Sequence, residues 1–148
     1  GHVSQALCKI LISLNCNISV FDTRTEWLDK LPHNDRLIKV QTDSLPNEIL
    51  RLKRGTFIVC MTQGHSTDLP VLIEAMNCNK FSYIGVLGSQ VKSIKIRQDL
   101  RKHGINESQI EKLFCPIGLD LGSNAPEEIA ISVAAQLLKE KSANSINF

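Results

Sequence analysis

The sequence predicts an α/β fold of the Rossmann type, an open parallel sheet with helices on both faces. Three observations predict it. Short apolar runs alternate with segments of helical period along the chain. Residues 56–61 form a continuous apolar run, the pattern of a parallel strand buried on both faces. The chain also opens on Gly1 at the start of a helix, and an apolar strand then ends on Asp22 about twenty positions later, which is the second half of a dinucleotide-type βαβ unit. The front of that unit, a strand and a first glycine, does not stand before Gly1. The expectation is a domain over residues 1–142 that lacks its first strand, with a disordered tail over 143–148.

Each element follows from its pattern. Val3, Leu7, Ile10, Leu11 and Leu14 recur at helical spacing over residues 2–15. Residues 18–22 form a β-rich run, and residues 23–36 read as a core-packed loop with one helical turn around Trp27 and Leu31. A weak strand follows at 37–40. Residues 45–53 read as a short helix with Pro46 in its first turn, closed by Gly55. After the strand at 56–61 come a helix at 68–77, a strand at 81–87, a helix at 90–103 stopped by Gly104, and a short helix at 106–113. Residues 115–122 are apolar and punctuated by glycine. The last helix runs from Pro126 to about Lys139.

Composition excludes several classes. The 148 residues suffice for one domain with a real core. A balance of 17 Lys+Arg against 15 Asp+Glu, net +2, is too mild for a nucleic-acid or membrane-surface partner. No run reaches the roughly 18 apolar residues of a membrane span. Cys8, Cys16, Cys60, Cys78 and Cys115 form no Cys-x-x-Cys pair and have no histidine at zinc-site spacing. They read as reduced core thiols of a cytoplasmic protein, with no metal site.

In an open parallel sheet, ligands lie beyond the carboxyl ends of the strands. Three polar clusters follow strands and are expected along that edge: Asp22-Thr23-Arg24, Thr62-Gln63-Gly64-His65, and Gly85 to Ser89. Gly1 and His2 offer backbone N–H groups to a phosphate. Asp22 can accept ribose hydroxyls, whereas Arg24 beside it suits a 2′-phosphate, so NAD and NADP both remain open. His65 and Asp68 are the candidates for proton transfer, the alternative being that Asp68 caps the next helix and His65 is solvated. Gly88 and Ser89 open a helix whose start suits an anion, with Lys92 in reach, while the basic residues from Lys95 to Lys102 read as a solvated face. Gly118 and Gly122 flank Asp120 and suggest a close approach of backbone to something. Glu127 and Glu128 read as structural residues of a helix start.

Taken together, Gly1-His2-Val3, Asp22-Thr23-Arg24, Thr62 through Asp68, Tyr83 through Ser89, and Pro116 through Gly122 followed by Pro126-Glu127-Glu128 resemble the C-terminal Rossmann-like domain of the XdhC/CoxI family. These are accessory proteins of molybdenum hydroxylases such as xanthine dehydrogenase. The resemblance implies a chaperone rather than a catalyst. It implies binding of molybdenum cofactor, its protection while a terminal sulfur is installed, and its delivery to the apo-hydroxylase, with a cysteine desulfurase as a further partner and a homodimer as the assembly. The cofactor-binding residues would be Gly1, His2, Asp22, Arg24, Thr62, His65, Gly85, Gly88, Ser89 and Asp120. The chain departs from the family where Gln63 replaces a histidine, Gln90 an arginine and Ala125 a threonine cap. The competing readings are an NAD(P)-dependent oxidoreductase and a nucleotide-sensing or structural interaction domain.

Overall fold

The computed structural model describes residues 1–144, so most of the expected tail, residues 145–148, lies outside the described residues. The described residues are α/β, with seven helices and parallel strands only. They divide into two compact units, one made of Gly1–Leu45 and the segment from Gly118 onward, the other of Pro46–Ile117.

In the first unit, α1 (His2–Ser13) leads into β1 (Ile18–Asp22), α2 (Thr25–Asp29) and β2 (Leu37–Gln41). The helix stops because Asn15 adopts a left-handed backbone (φ 55°), a conformation that asparagine tolerates. β1 and β2 pair in parallel, from Ile18 opposite Leu37 to Asp22 opposite Gln41. Cys8, Leu28, Leu31 and Leu37 form the buried cluster between helix and strands, flanked by Ile12, Ile18 and Val20. α7 (Pro126–Ala143) packs along α1 and buries Ala130, Val133, Ala134 and Leu137. It continues four residues past the predicted end at Lys139, because Glu140 to Ala143 contain no helix-breaking residue.

In the second unit the order is α3 (Leu45–Arg51, its first residue belonging to the first unit), β3 (Phe57–Cys60), α4 (His65–Cys78), β4 (Tyr83–Val86), α5 (Gln90–Lys102) and α6 (Glu107–Glu111). β3 and β4 are parallel, from Phe57 opposite Tyr83 to Cys60 opposite Val86, and Phe114 adds a single parallel bridge to Gly85. Leu72, Ala75, Val86, Ile96, Leu100 and Ile110 are fully buried between these layers.

One boundary corrects the sequence reading. α4 begins at His65, three residues before the predicted start. The polar run from Thr62 to Asp68 suggests a loop up to Asp68. Instead the Thr67 hydroxyl accepts from Gly64 N–H (3.2 Å), and the amides of Thr67 and Asp68 donate to Gly64 O (3.1 and 2.9 Å). Gly64 therefore caps the helix, and Asp68 lies a full turn inside it.

Candidate functional site

Beyond the carboxyl ends of β3 and β4, the second unit builds a network around one wholly buried carboxylate, Asp68. Its Oδ1 accepts from Thr62 Oγ1 (2.6 Å), Thr62 N–H (3.2 Å) and the Cys60 thiol (3.1 Å). Its Oδ2 meets Lys92 Nζ at 2.5 Å. Lys92 also donates to Leu87 O at 2.6 Å. One ammonium thus ties α4 and α5 to the end of β4. The Lys92 stem occupies the space that a Cβ on Gly88 would need, which explains the glycine there. Ser89 caps α5, its Oγ accepting from Lys92 N–H (3.2 Å). Burial, the neighbouring Asp68 charge and its hydrogen bond push the Cys60 thiol well above its ordinary pKa, so it stays protonated as a donor.

This arrangement changes three sequence expectations. Asp68 neither caps α4 nor faces His65; it is the centre of the network. Lys92 is turned inward onto Asp68 rather than left as a solvent-facing anion ligand. The carboxylate paired with His65 is Asp99 of α5, whose Oδ2 accepts from His65 Nε2 at 3.0 Å. No short sequence pattern could have revealed this pair, because the partners are 34 positions apart. His65 Nδ1 is buried without a hydrogen-bond partner.

The basic face from Lys95 to Lys102 is exposed at Lys95, Arg101 and Lys102, as its sequence suggests, and only Arg97 is half-buried. Asp99 collects Lys102 (2.9 Å) and Lys95 (3.3 Å), and Arg101 pairs with Glu107 (2.6 Å). Arg97 reaches Ile110 O and Leu113 O, pinning α6 and the chain after it. The Lys102 hydrogen bond is the main force holding the Asp99 carboxyl down at about 2; burial opposes it, and Lys95 and His65 add to it. A carboxyl depressed in the folded state stabilises the fold above its unfolded value of about 4, and that contribution disappears as pH falls through the folded value. Asp99→Asn should therefore flatten the loss of stability between about pH 4 and about pH 2 in acid unfolding curves. A slope equal to that of the unsubstituted protein would contradict this assignment.

The first unit carries its own polar cluster. The Asp22 carboxylate, at the end of β1, is gripped by the next residue but one: Oδ1 accepts from Arg24 N–H and Nε (both 3.0 Å), and Oδ2 from Nη2 (3.1 Å). Burial raises the Asp22 pKa, but the hydrogen bonds and charge of Arg24 outweigh it and hold the carboxyl below its ordinary range. Trp27, on α2, stands beside this pair. The Arg24 guanidinium lies 5.1 Å and Lys30 Nζ 4.4 Å from its ring centroid, and the His2 ring meets it edge-on at 5.3 Å. His2 and Arg24, the latter clamped on Asp22, thus meet a tryptophan whose sequence context predicts only loop packing, and the Gly1 amino group lies within electrostatic reach of Asp22 and Arg24. Between α1 and α7, a groove of about 360 Å³ runs past His2, Lys9, Ile10 and Ile131. The Gln5 side-chain nitrogen beside it is buried and unpaired.

The remaining predicted positions are explained by packing or exposure. Gly85 is buried in β4 under the Tyr83 ring and Ile117. Gly118, at φ +101°, approaches Ser132 of α7 so closely that a Cβ would collide with its hydroxyl, and its N–H donates to Gln136 Oε1 at 2.9 Å. The close approach suggested by the glycines is therefore to the protein's own last helix. Asp120 is exposed. Glu128 accepts from Ser123 N–H, in line with its structural reading. All five cysteines are free thiols. Among the described residues no three His, Cys, Asp or Glu side chains converge as a metal site, and no helix is long and apolar enough to cross a membrane.

Comparison with known proteins agrees with this architecture. The chain is 30% identical over 144 residues to YqeB, an uncharacterized protein of Escherichia coli K12, and 24% identical over 143 residues to a probable xanthine dehydrogenase subunit of Bacillus subtilis. Each alignment covers 95% of this chain, but only 26% of the first protein and 41% of the second. The crystal structure of a xanthine dehydrogenase from Bacillus halodurans superposes with a TM-score of 0.78 at 26% identity, over 97% of this chain and 40% of that one. The model of the XdhC Rossmann domain matches residues 1–137, and with the parallel strands and their polar ends in place, this chain belongs to the XdhC Rossmann-domain family.

Proposed function

We propose that this domain serves the maturation of a molybdenum hydroxylase of the xanthine dehydrogenase type, binding molybdenum cofactor and assisting its sulfuration and insertion. The observation that carries the reading is the XdhC Rossmann-domain match over residues 1–137. The names of the Bacillus relatives support the client class. The partners would be the apo-hydroxylase and a cysteine desulfurase that supplies the sulfur.

The residues fit the organic part of such a ligand. The unpaired His65 Nδ1 can accept from a ring N–H, and Gly88, Ser89 and Thr62 present short side chains and backbone at the strand ends. The first unit, taken by itself, offers the Arg24 guanidinium, which is suited to phosphate. Burial pushes up the thiols of Cys8, Cys16, Cys60 and Cys115, which disfavours these four as thiolate ligands. The cofactor, when bound, supplies the redox-active metal and its exchangeable sulfur, while the chain's residues bind, orient and shield it.

The test is native mass spectrometry of protein purified without oxygen, paired with hydroxylase activity in a deletion strain. A bound species at the mass of molybdopterin and an inactive hydroxylase are the expected results. A spectrum that stays free of ligand after molybdopterin is added, together with normal hydroxylase activity in the deletion strain, would overturn the reading. A second reading, NAD(P) binding, rests on Asp22 at the end of β1. Co-purified NAD(P) in the same spectrum would shift the assignment to it.

A further inference from the structure

We propose that α5 presents a docking face for an acidic, apolar segment of a partner protein: Val91 and Ile94 take its apolar side chains, and the basic residues that follow take its carboxylates. The inference rests on the reading above only for the identity of that partner, the client hydroxylase.

α5 already has a complete inner face. Ser93, Ile96, Asp99 and Leu100 are buried. Lys92 and Arg97 are half-buried at its margins, tied to Asp68 and to the carbonyls of Ile110 and Leu113. The core therefore makes no use of Val91 and Ile94, which are 77% and 60% exposed. Three positions apart, they are neighbours on one side of the helix. Single apolar residues are common on protein surfaces, but an adjacent pair on a helix whose other exposed residues are polar suits the apolar side chains of a partner.

The same side continues through Lys95, Gln98, Arg101 and Lys102, all exposed. Lys95 and Lys102 share the single carboxylate of Asp99, and Arg101 has Glu107. Two ammonium groups on one carboxylate leave the face positive, so it favours an acidic surface and repels a basic one. The face is also continuous with the candidate site. Ser89, the N-cap of α5, and Lys92, which reaches Asp68 and Leu87 O, flank Val91 along the chain. A protein seated on Val91 and Ile94 stands next to those strand ends, where a client has to be to receive a ligand held there.

The probe is a fluorescein-labelled amphipathic peptide with leucine on one helical face and glutamate on the other, compared with its charge reverse, lysine for glutamate. Fluorescence anisotropy should show the acidic peptide binding and the basic one not. Val91→Asp and Ile94→Asp should each weaken binding about tenfold, the loss expected of an anchor residue. Gln98→Glu should weaken it and Gln98→Lys tighten it, each about threefold, the scale of one exposed charge contact. All four substitutions fall at exposed positions, and unchanged thermal midpoints show the fold intact. Ile131→Asp, at an exposed apolar position of α7, should bind as the unsubstituted protein does. Equal binding of the two peptides, unchanged affinity in Val91→Asp and Ile94→Asp, or tighter binding of a labelled oligonucleotide would overturn the proposal. So would a concentration-dependent dimer that Ile94→Asp dissolves, since the occupant would then be a second copy of this chain. Displacement of the acidic peptide by purified apo-hydroxylase supports both the docking face and the maturation reading. Apo-hydroxylase that leaves the peptide bound, with the pattern of variants intact, leaves the face standing and counts against the hydroxylase as the client.

Discussion

Replacing Tyr83 by alanine should cost about 3–5 kcal/mol of folding stability, the usual range for truncating a buried aromatic side chain. Tyr83 is 2% exposed and stacks between Phe57 (5.4 Å between centroids) and Phe114 (4.6 Å). The stack joins β3, β4 and the Phe114 bridge on one face. Gly85, two residues along β4, lies beneath the same ring. The space for its Cβ is already filled by Ile117 Cγ2 (2.5 Å) and Tyr83 Oη (2.6 Å). Gly85→Ala should therefore destabilise through overpacking, by about 1–3 kcal/mol. The two changes should be less than additive, because removing the tyrosine ring opens room for the new methyl group. Urea unfolding of both single variants and the double variant measures this. Strict additivity would mean that the glycine is needed for another reason, and contact with a ligand would then be the explanation to pursue.

Asp68→Ala should cost about 3 kcal/mol, near the lower end of the range for breaking a buried ion pair. The lower end applies because Lys92 keeps 22% of its side chain in solvent and can rehydrate when its partner is lost. The remaining cost comes from Thr62 N–H and the Cys60 thiol, which lose their shared acceptor. Lys92→Met should cost at least as much, about 3–5 kcal/mol, since it leaves the wholly buried Asp68 carboxylate without its counter-charge, although three donors remain on Oδ1. Because the network also holds the ends of β3 and β4 in place, both variants should retain less ligand in the anaerobic mass-spectrometry experiment. Chemical denaturation gives the ranking. Lys92→Met proving clearly cheaper than Asp68→Ala would show that the three donors on Oδ1 hold the buried carboxylate without the ammonium.

Much of the fold is legible in local patterns. The helix at the start, β1 ending on Asp22, and the buried strands at Phe57–Cys60 and Tyr83–Val86 follow from periodicity and apolar runs, since burial on two faces imposes such patterns whatever the partners are. The residues that carry the family resemblance are legible for the same reason: glycines and polar residues at strand ends keep their spacing along the chain.

Partnerships across long stretches of chain are not legible. Asp99 with His65, Lys92 with Asp68, and Gly118 with Ser132 join residues on different elements, and no local pattern encodes which side chains meet. Local signals misplace the start of α4 because the polar run from Thr62 to Asp68 reads as a loop, and only the Gly64–Thr67 hydrogen bonds show it to be the cap and first turn. Arg24 shows the division most sharply. Spacing along the chain places an arginine beside the ribose-accepting carboxylate, but an arginine there can either reach a ligand or fold back. Only the tertiary geometry shows it folded back onto Asp22 against Trp27, because the cost of leaving a half-buried carboxylate without a partner depends on everything packed around it.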